Sequence, residues 1–208
     1  VLSGRTLEEV AAGEADQDPA VKPEFQSGDA LVVVDVQRDF CAGGALAVPD
    51  ADAIVPILNR WLEAAERAGV PIFLSRDWHP DQHVSFEARG GPWPEHCVQD
   101  SRGAELHPHL GVPASARIVT KGVRFDKDQH SVFDDTGLEA ELRRLGVLRI
   151  FVGGLAQEVC VHASVIDALR RGFEVCVISD ATRAVQAEAG ERALAEMRDA
   201  GARVGRSG

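Results

Sequence analysis

The sequence lacks the features that would assign it to several large classes. No apolar run approaches the length of about 18 residues that a membrane-crossing helix needs, so no membrane partner is expected. Basic residues form no cluster: lysine occurs only at positions 22, 121 and 127, leaving 19 arginines among 22 basic residues, against 33 acidic ones and a net charge of −11. That distribution argues against nucleic acid as a partner. Cysteine is sparse, and its positions at 41, 97, 160 and 176 make no disulfide framework. The thiols are therefore read as reduced and the location as cytoplasmic. The N-terminus has no basic-then-apolar secretory pattern, although a chain beginning at Val1 leaves room for a removed leader. Neither G-x-G-x-x-G nor G-x-x-x-x-G-K-[ST] occurs, which removes support for dinucleotide or P-loop nucleotide binding.

What is present is the material for one globular core. Hydrophobic residues make up 45% and charged residues 26% of 208 positions, an ordinary balance for a single sizeable domain. Residues 1–27, centred on the polar stretch Gly13 to Pro19, read as a weakly ordered extension, and 28–208 as one domain. Short β-branched runs at 31–34, 70–74, 117–120, 148–152, 174–178 and 202–204 alternate with helical patterns at 52–68, 138–145, 159–171 and 187–199. Thr136-Gly137-Leu138-Glu139 has the form of a capping box, and Gly146 closes the helix it opens. The alternation predicts an α/β protein: a three-layer α-β-α sandwich around a mostly parallel, Rossmann-like sheet. In such sheets ligands bind beyond the carboxyl ends of the strands. Asp35, Asp77, His79, Lys121 and Cys160 all fall there. The connection from 76 to 116 is long, weakly patterned and holds five of the seven histidines, which points to functional work.

Two constellations carry chemistry. Cys160 lies at a strand-to-helix turn, where helix amides and dipole favour a thiolate. A nucleophilic thiol needs a base or a nearby cation; Asp35 and Lys121 could supply both. Spacing alone does not select Lys121 over His162, though His162 is only two residues on, and such neighbours on a helix do not face each other. The bland reading is a turn-forming aspartate, a surface lysine and a buried apolar cysteine. The second constellation is Asp77-Trp78-His79-Pro80 with His83 and His96. Carboxylate and imidazole ligands suit zinc, iron, manganese or cobalt with open positions left over; the alternative is a histidine-rich loop that binds nothing. His107 and His109, flanking Pro108, read as loop residues, and Cys97 as a small buried side chain.

At these residues the chain resembles the nicotinamidases and pyrazinamidases of the isochorismatase-like cysteine hydrolases. The matching stretches are Val34 to Leu46 (VDVQRDFCAGGAL), Ser75 to Pro80 (SRDWHP), Trp93 to Val98 (WPEHCV), Lys121-Gly122 and Gly154 to Val161 (GLAQEVCV), in order across about residues 29–204. The resemblance implies the isochorismatase-like hydrolase fold and a catalytic triad of Asp35, Lys121 and Cys160. It implies a divalent transition metal on Asp77, His79 and His96, with His83 as a further ligand in some relatives; zinc comes first, iron and manganese next. It also implies a cis peptide between Leu155 and Ala156 and an oxyanion hole from the Ala156 and Cys160 amides. Phe40 and Trp93 would sandwich an aromatic ring, with Gln37, Leu155 and Val159 beside it. The implied activity is hydrolysis of nicotinamide to nicotinate and ammonia through a thioester, in NAD salvage, with pyrazinamide-like analogues as side substrates. A homo-oligomer is among the assemblies the resemblance allows. Gln157-Glu158-Val159 and Gln129-His130 depart from the residues common at those places. They keep open an amidase of the same superfamily acting on an N-carbamoyl or acyclic amide; a catalytically silent structural protein is the alternative of another class.

Overall fold

The computed structural model describes residues 18–208; the first 17 residues of the expected extension lie outside the described residues. Among these residues seven strands form one sheet. They are β1 (Ala20–Val21), β2 (Asp29–Val34), β3 (Ile72–Asp77), β4 (Arg117–Lys121), β5 (Arg149–Gly154), β6 (Glu174–Thr182) and β7 (Arg203–Ser207). Their order is β1-β7-β6-β5-β2-β3-β4, and every pairing is parallel. Among the described residues four α-helices cover it: α1 (Val55–Ala68), α2 (Leu138–Arg144), α3 (His162–Arg170) and α4 (Ala187–Asp199). Among the described residues no helix is long and apolar enough to cross a membrane.

Alternate residues of a strand point to opposite faces, and β2 shows the consequence. Leu31 and Val33 pack with Leu58, Trp61 and Leu62 of α1 on one side. Ala30, Val32 and Val34 pack on the other with Leu142 of α2, Val165 of α3 and Met197 of α4. Burial on both faces explains why the strands read as continuous apolar runs rather than alternating ones. Phe25, within the stretch expected to be weakly ordered, meets Trp61 and Phe151 edge-on at 5.7 and 5.0 Å.

Several boundaries differ from the sequence expectation, each for a local reason. Val70 belongs to the close of α1, donating to Ala65 across Gly69 (φ 68°), so β3 starts two residues later than expected. It then runs on through polar Ser75, Arg76 and Asp77 because these pair with Val119, Thr120 and Lys121. Beyond a bulge, β6 continues to Thr182, which pairs with Gly154. The capping box does not form: Gly137 is the N-cap in a left-handed conformation, and Thr136 accepts from the Leu138 amide at 3.2 Å. Glu139 turns outward to Arg171. The helix expected from 159 begins instead as a π-helical turn, Gln157–Val161, before α3.

Candidate active site

The chain runs from β2 outward through β3 and β4, then returns to build β5, β6 and β7 on the other side. That reversal between β2 and β5 opens a crevice at the carboxyl ends of the strands. Asp35 directly follows β2, in a left-handed conformation (φ 48°) uncommon outside glycine. The backbone there is crowded: a Cβ on Gly154 would stand 2.0 Å from the Val34 carbonyl oxygen. Asp77 and Lys121 are the register-paired last residues of β3 and β4. Cys160 lies in the π-helical turn after β5.

These four side chains meet around one ammonium. Lys121 is fully buried; its Nζ lies 2.8 Å from Asp35 Oδ2, 2.5 Å from Asp77 Oδ1 and 3.4 Å from Cys160 Sγ. The Cys160 sulfur is within 4.8 Å of carboxylate oxygens of both aspartates. Burial alone would lower the Lys121 pKa, but the two carboxylates hold the ammonium well above lysine's ordinary range. Asp77 is pushed up by burial and pulled further down by Lys121 and His79, ending below the carboxylate range. Asp35 ends above that range, because burial outweighs the pull of Lys121. Ser75 Oγ donates to Asp35 Oδ1 at 2.6 Å. Asp35 Oδ2 pairs with Lys121 by charge and receives no aligned hydrogen bond, so it is placed to accept a proton.

Burial also pushes the Cys160 thiol well up, against the lowering effect of Lys121. Helix amides were expected to favour a resting thiolate; the sealed surroundings of Cys160, 6% exposed, favour the neutral thiol instead. The group able to stabilise a transient negative sulfur is Lys121. His162 is not a partner: it leaves along α3, with Nε2 2.9 Å from Glu196 on α4.

Asp77, His79 and His96 bring one donor atom each within 4.8 Å of one another, all three buried. Their chemistry fits a borderline divalent cation. His79 Nδ1 lies 3.1 Å from the Gly122 carbonyl and His96 Nδ1 2.7 Å from that of Pro94. A carbonyl can only accept, so Nδ1 of both rings is the donor there, which leaves Nε2 as the atom each ring would offer a metal. Burial lowers the His96 pKa and keeps that ring neutral. His83 is close, stacked on His79 at 4.1 Å, but its Nδ1 and Nε2 face Ser85 Oγ at 2.7 Å and Lys127 O at 3.2 Å. It stays outside the three-ligand cluster. His107 lies 3.1 Å from Asp52, and Cys97 is buried next to His96 without joining the three-donor cluster.

A pocket of about 430 Å³ connects the two groups. Phe40, Trp93 and Val159 line it, as do Ala156, Cys160, Asp77, His79 and His96. Gln37 and Leu155, expected at its wall, do not line it. Leu155 is wholly buried beneath, and the Gln37 amide is spent on main chain, accepting from Asp77 N at 2.7 Å and donating to Asp77 O at 2.7 Å. The Leu155–Ala156 peptide is cis. The Ala156 N–H has no protein acceptor among the described residues.

Sequence reasoning missed several contributors. Leu46, Val48 and Val185 add apolar wall, while Asp128 and His130, 3.3 Å apart, stand at the half-exposed rim. Ser75 holds Asp35, and Ser164 donates to the Cys160 carbonyl at 2.6 Å while accepting from Val132 N. The only signal for the two serines was a hydroxyl inside an apolar run. Gln157 faces away from the pocket, bonded to Thr182 Oγ1 at 2.5 Å.

A crevice at the switch point of a parallel sheet, with a buried Asp-Lys-Cys cluster beside an Asp-His-His cluster, defines a class of α/β hydrolase. The family model described as "Isochorismatase domain" matches residues 29–207, and the chain belongs to the isochorismatase family. Among curated relatives it is 40% identical over 196 residues to a nicotinamidase of Escherichia coli, covering 83% of this chain and 92% of that one. It is 36% identical over 180 residues to a nicotinamidase/pyrazinamidase of Mycobacterium tuberculosis, covering 82% and 95%. Among solved structures it is similar to the pyrazinamidase of Pyrococcus horikoshii in complex with zinc, at a TM-score of 0.84 and 45% identity over 86% of this chain and 99% of that one.

Proposed function

We propose that this protein is a metal-dependent cysteine amidohydrolase that converts nicotinamide to nicotinate and ammonia, with pyrazinamide-like rings as further substrates. The observation that carries the reading is Lys121 Nζ held between Asp35, Asp77 and Cys160, next to three convergent metal-ligand donors. Asp35 Oδ2 takes the thiol proton as Cys160 Sγ attacks the carboxamide carbon, and Lys121 offsets the charge left in the buried site. The amides of Ala156 and Cys160 receive the oxyanion, each donor lowering the barrier by roughly 3–4 kcal/mol. Asp35 returns the proton to the departing nitrogen, the C–N bond breaks and ammonia leaves a thioester on Cys160. A water deprotonated by Asp35 then cleaves the C–S bond; the acid is released and the thiol restored.

Phe40 and Trp93 hold the aromatic ring. A divalent transition ion on Asp77, His79 and His96, zinc before iron or manganese, would fix the ring through its nitrogen and draw electron density from it. The test is ammonia release from nicotinamide by wild type and Cys160→Ala, each with and without a chelator. Turnover lost on chelation, restored by Zn2+ and absent in the variant is the expected result. Chelator-resistant turnover, or turnover by Cys160→Ala, would overturn the reading.

A further inference from the structure

The segment from Asp35 to Phe40 does more than deliver a base. Gln37 is fully buried and its amide is saturated by main chain. Its Oε1 accepts from Asp77 N at 2.7 Å, and its Nε2 donates to Asp77 O at 2.7 Å and to Ala104 O at 2.9 Å. One side chain therefore grips both peptide groups of a single residue. That residue gives one carboxylate oxygen to Lys121 and directs the other toward His79. Two positions on, the Asp39 carboxylate accepts from Cys97 N at 2.7 Å and from Ala45 N at 3.2 Å. Cys97 adjoins His96, sits in a left-handed conformation (φ 46°) and accepts from the His79 amide at 2.9 Å. Asp39 thus fixes the one residue joined to both histidines of the cluster. The fit is close: a Cβ on Gly103 would stand 2.1 Å from Asp39 Oδ2.

We infer that Gln37 and Asp39 are positioning residues for metal binding, Gln37 setting Asp77 and Asp39 setting His79 and His96. The inference rests on the metal reading above. Neither residue touches the pocket, and neither offers an atom to the cation. Their job is to hold three donors from two distant stretches at fixed separation, anchored to the strand end that also carries Asp35. Partners of this outer kind typically account for about 10–100-fold in metal affinity.

The test is the Zn2+ dissociation constant, from competition with a chromogenic chelator, for wild type, Gln37→Met and Asp39→Asn. Melting temperatures of each are taken with and without Zn2+. Both variants keep side-chain volume. We expect each to bind Zn2+ roughly 10–100-fold more weakly, to show a smaller rise in melting temperature on adding Zn2+, and to regain turnover as Zn2+ is raised. Wild-type affinity in a folded variant overturns the assignment for that residue. So does a lower melting temperature with unchanged Zn2+ affinity, the mark of a purely structural role. Should Gln37→Met not fold, Gln37→Glu, which keeps shape and the oxygen that accepts from Asp77 N but loses the donor to Asp77 O, takes its place in the same measurement. Wild type that takes up no Zn2+ sinks the metal reading, and this inference with it.

Discussion

The two halves of the site are built by different means. Asp35, Asp77 and Lys121 are delivered by strand ends, where the register of β2, β3 and β4 fixes how their side chains meet, and Cys160 comes from the π-helical turn that follows β5. His79 and His96 ride on a connection without regular structure and are held by main-chain locks: ring nitrogens on Gly122 and Pro94, and peptide groups joined through Cys97. Ladder hydrogen bonds are shared over a whole sheet, whereas each lock of the loop is a single contact. The reacting half should therefore resist single substitutions that do not touch its own side chains, and the metal half should yield to changes at a distance. Asp77 belongs to both halves, and Lys121 couples them.

The sharpest way to break this comparison is to remove the thiol. Cys160→Ala should abolish turnover while Zn2+ affinity stays near wild type, because the sulfur holds none of the three donors. An affinity that falls with the thiol would mean the halves are one unit. Lys121→Met should damage both. It leaves two buried carboxylates facing each other, a loss of about 3–5 kcal/mol in stability by denaturant unfolding. It also removes the charge that lowers the thiol pKa, so alkylation of any folded Cys160 should begin at higher pH than in wild type. Unchanged onset would show that Lys121 does not act on the sulfur.

His96→Ala attacks the loop half alone. Losing a donor should cost more than the about 10–100-fold of an outer partner in Zn2+ affinity, with the rate of Cys160 alkylation in metal-free protein kept. A smaller effect follows at the ring wall: Trp93→Ala should raise KM for nicotinamide by roughly tenfold, the scale of one lost aromatic contact of about 1–1.5 kcal/mol. A fall in kcat with constant KM would argue against a ring-holding role.

How far the site could be read in advance follows the same division. The strands were legible because parallel sheets need unbroken apolar runs, and Val32-Val33-Val34 or Val175 to Ile178 admit little else. Where a strand continued into polar residues, as β3 does through Ser75 and Asp77, its end was misplaced, since only pairing with β4 shows it. The loop's residue types were readable as ligands, yet nothing in spacing could tell His83 from His96. In the fold Ser85 and Lys127 lie against both nitrogens of His83, which stays outside the cluster of Asp77, His79 and His96. Gln37 was expected beside the substrate because the resemblance to the family implied it. In the fold the alternating direction of an extended segment turns it inward to Asp77.

The smallest expected effect separates two neighbours of Cys160. Gln157 and Val159 were both weighed as possible sources of altered substrate range. The structure treats them differently. Gln157 faces Thr182 and the close-packed Gly190 on α4, where a Cβ would stand 2.8 Å from its Nε2, whereas Val159 lines the pocket. Gln157→Thr should therefore cost about 0.5–1.5 kcal/mol of stability, the scale of one buried hydrogen bond, and leave the order of kcat/KM among nicotinamide, pyrazinamide and bulkier ring amides intact. Val159→Ala should enlarge the pocket and move that order toward the bulkier rings. A reordering by Gln157→Thr with none from Val159→Ala would place selectivity in the packing behind the π-helical turn rather than at the wall the substrate meets.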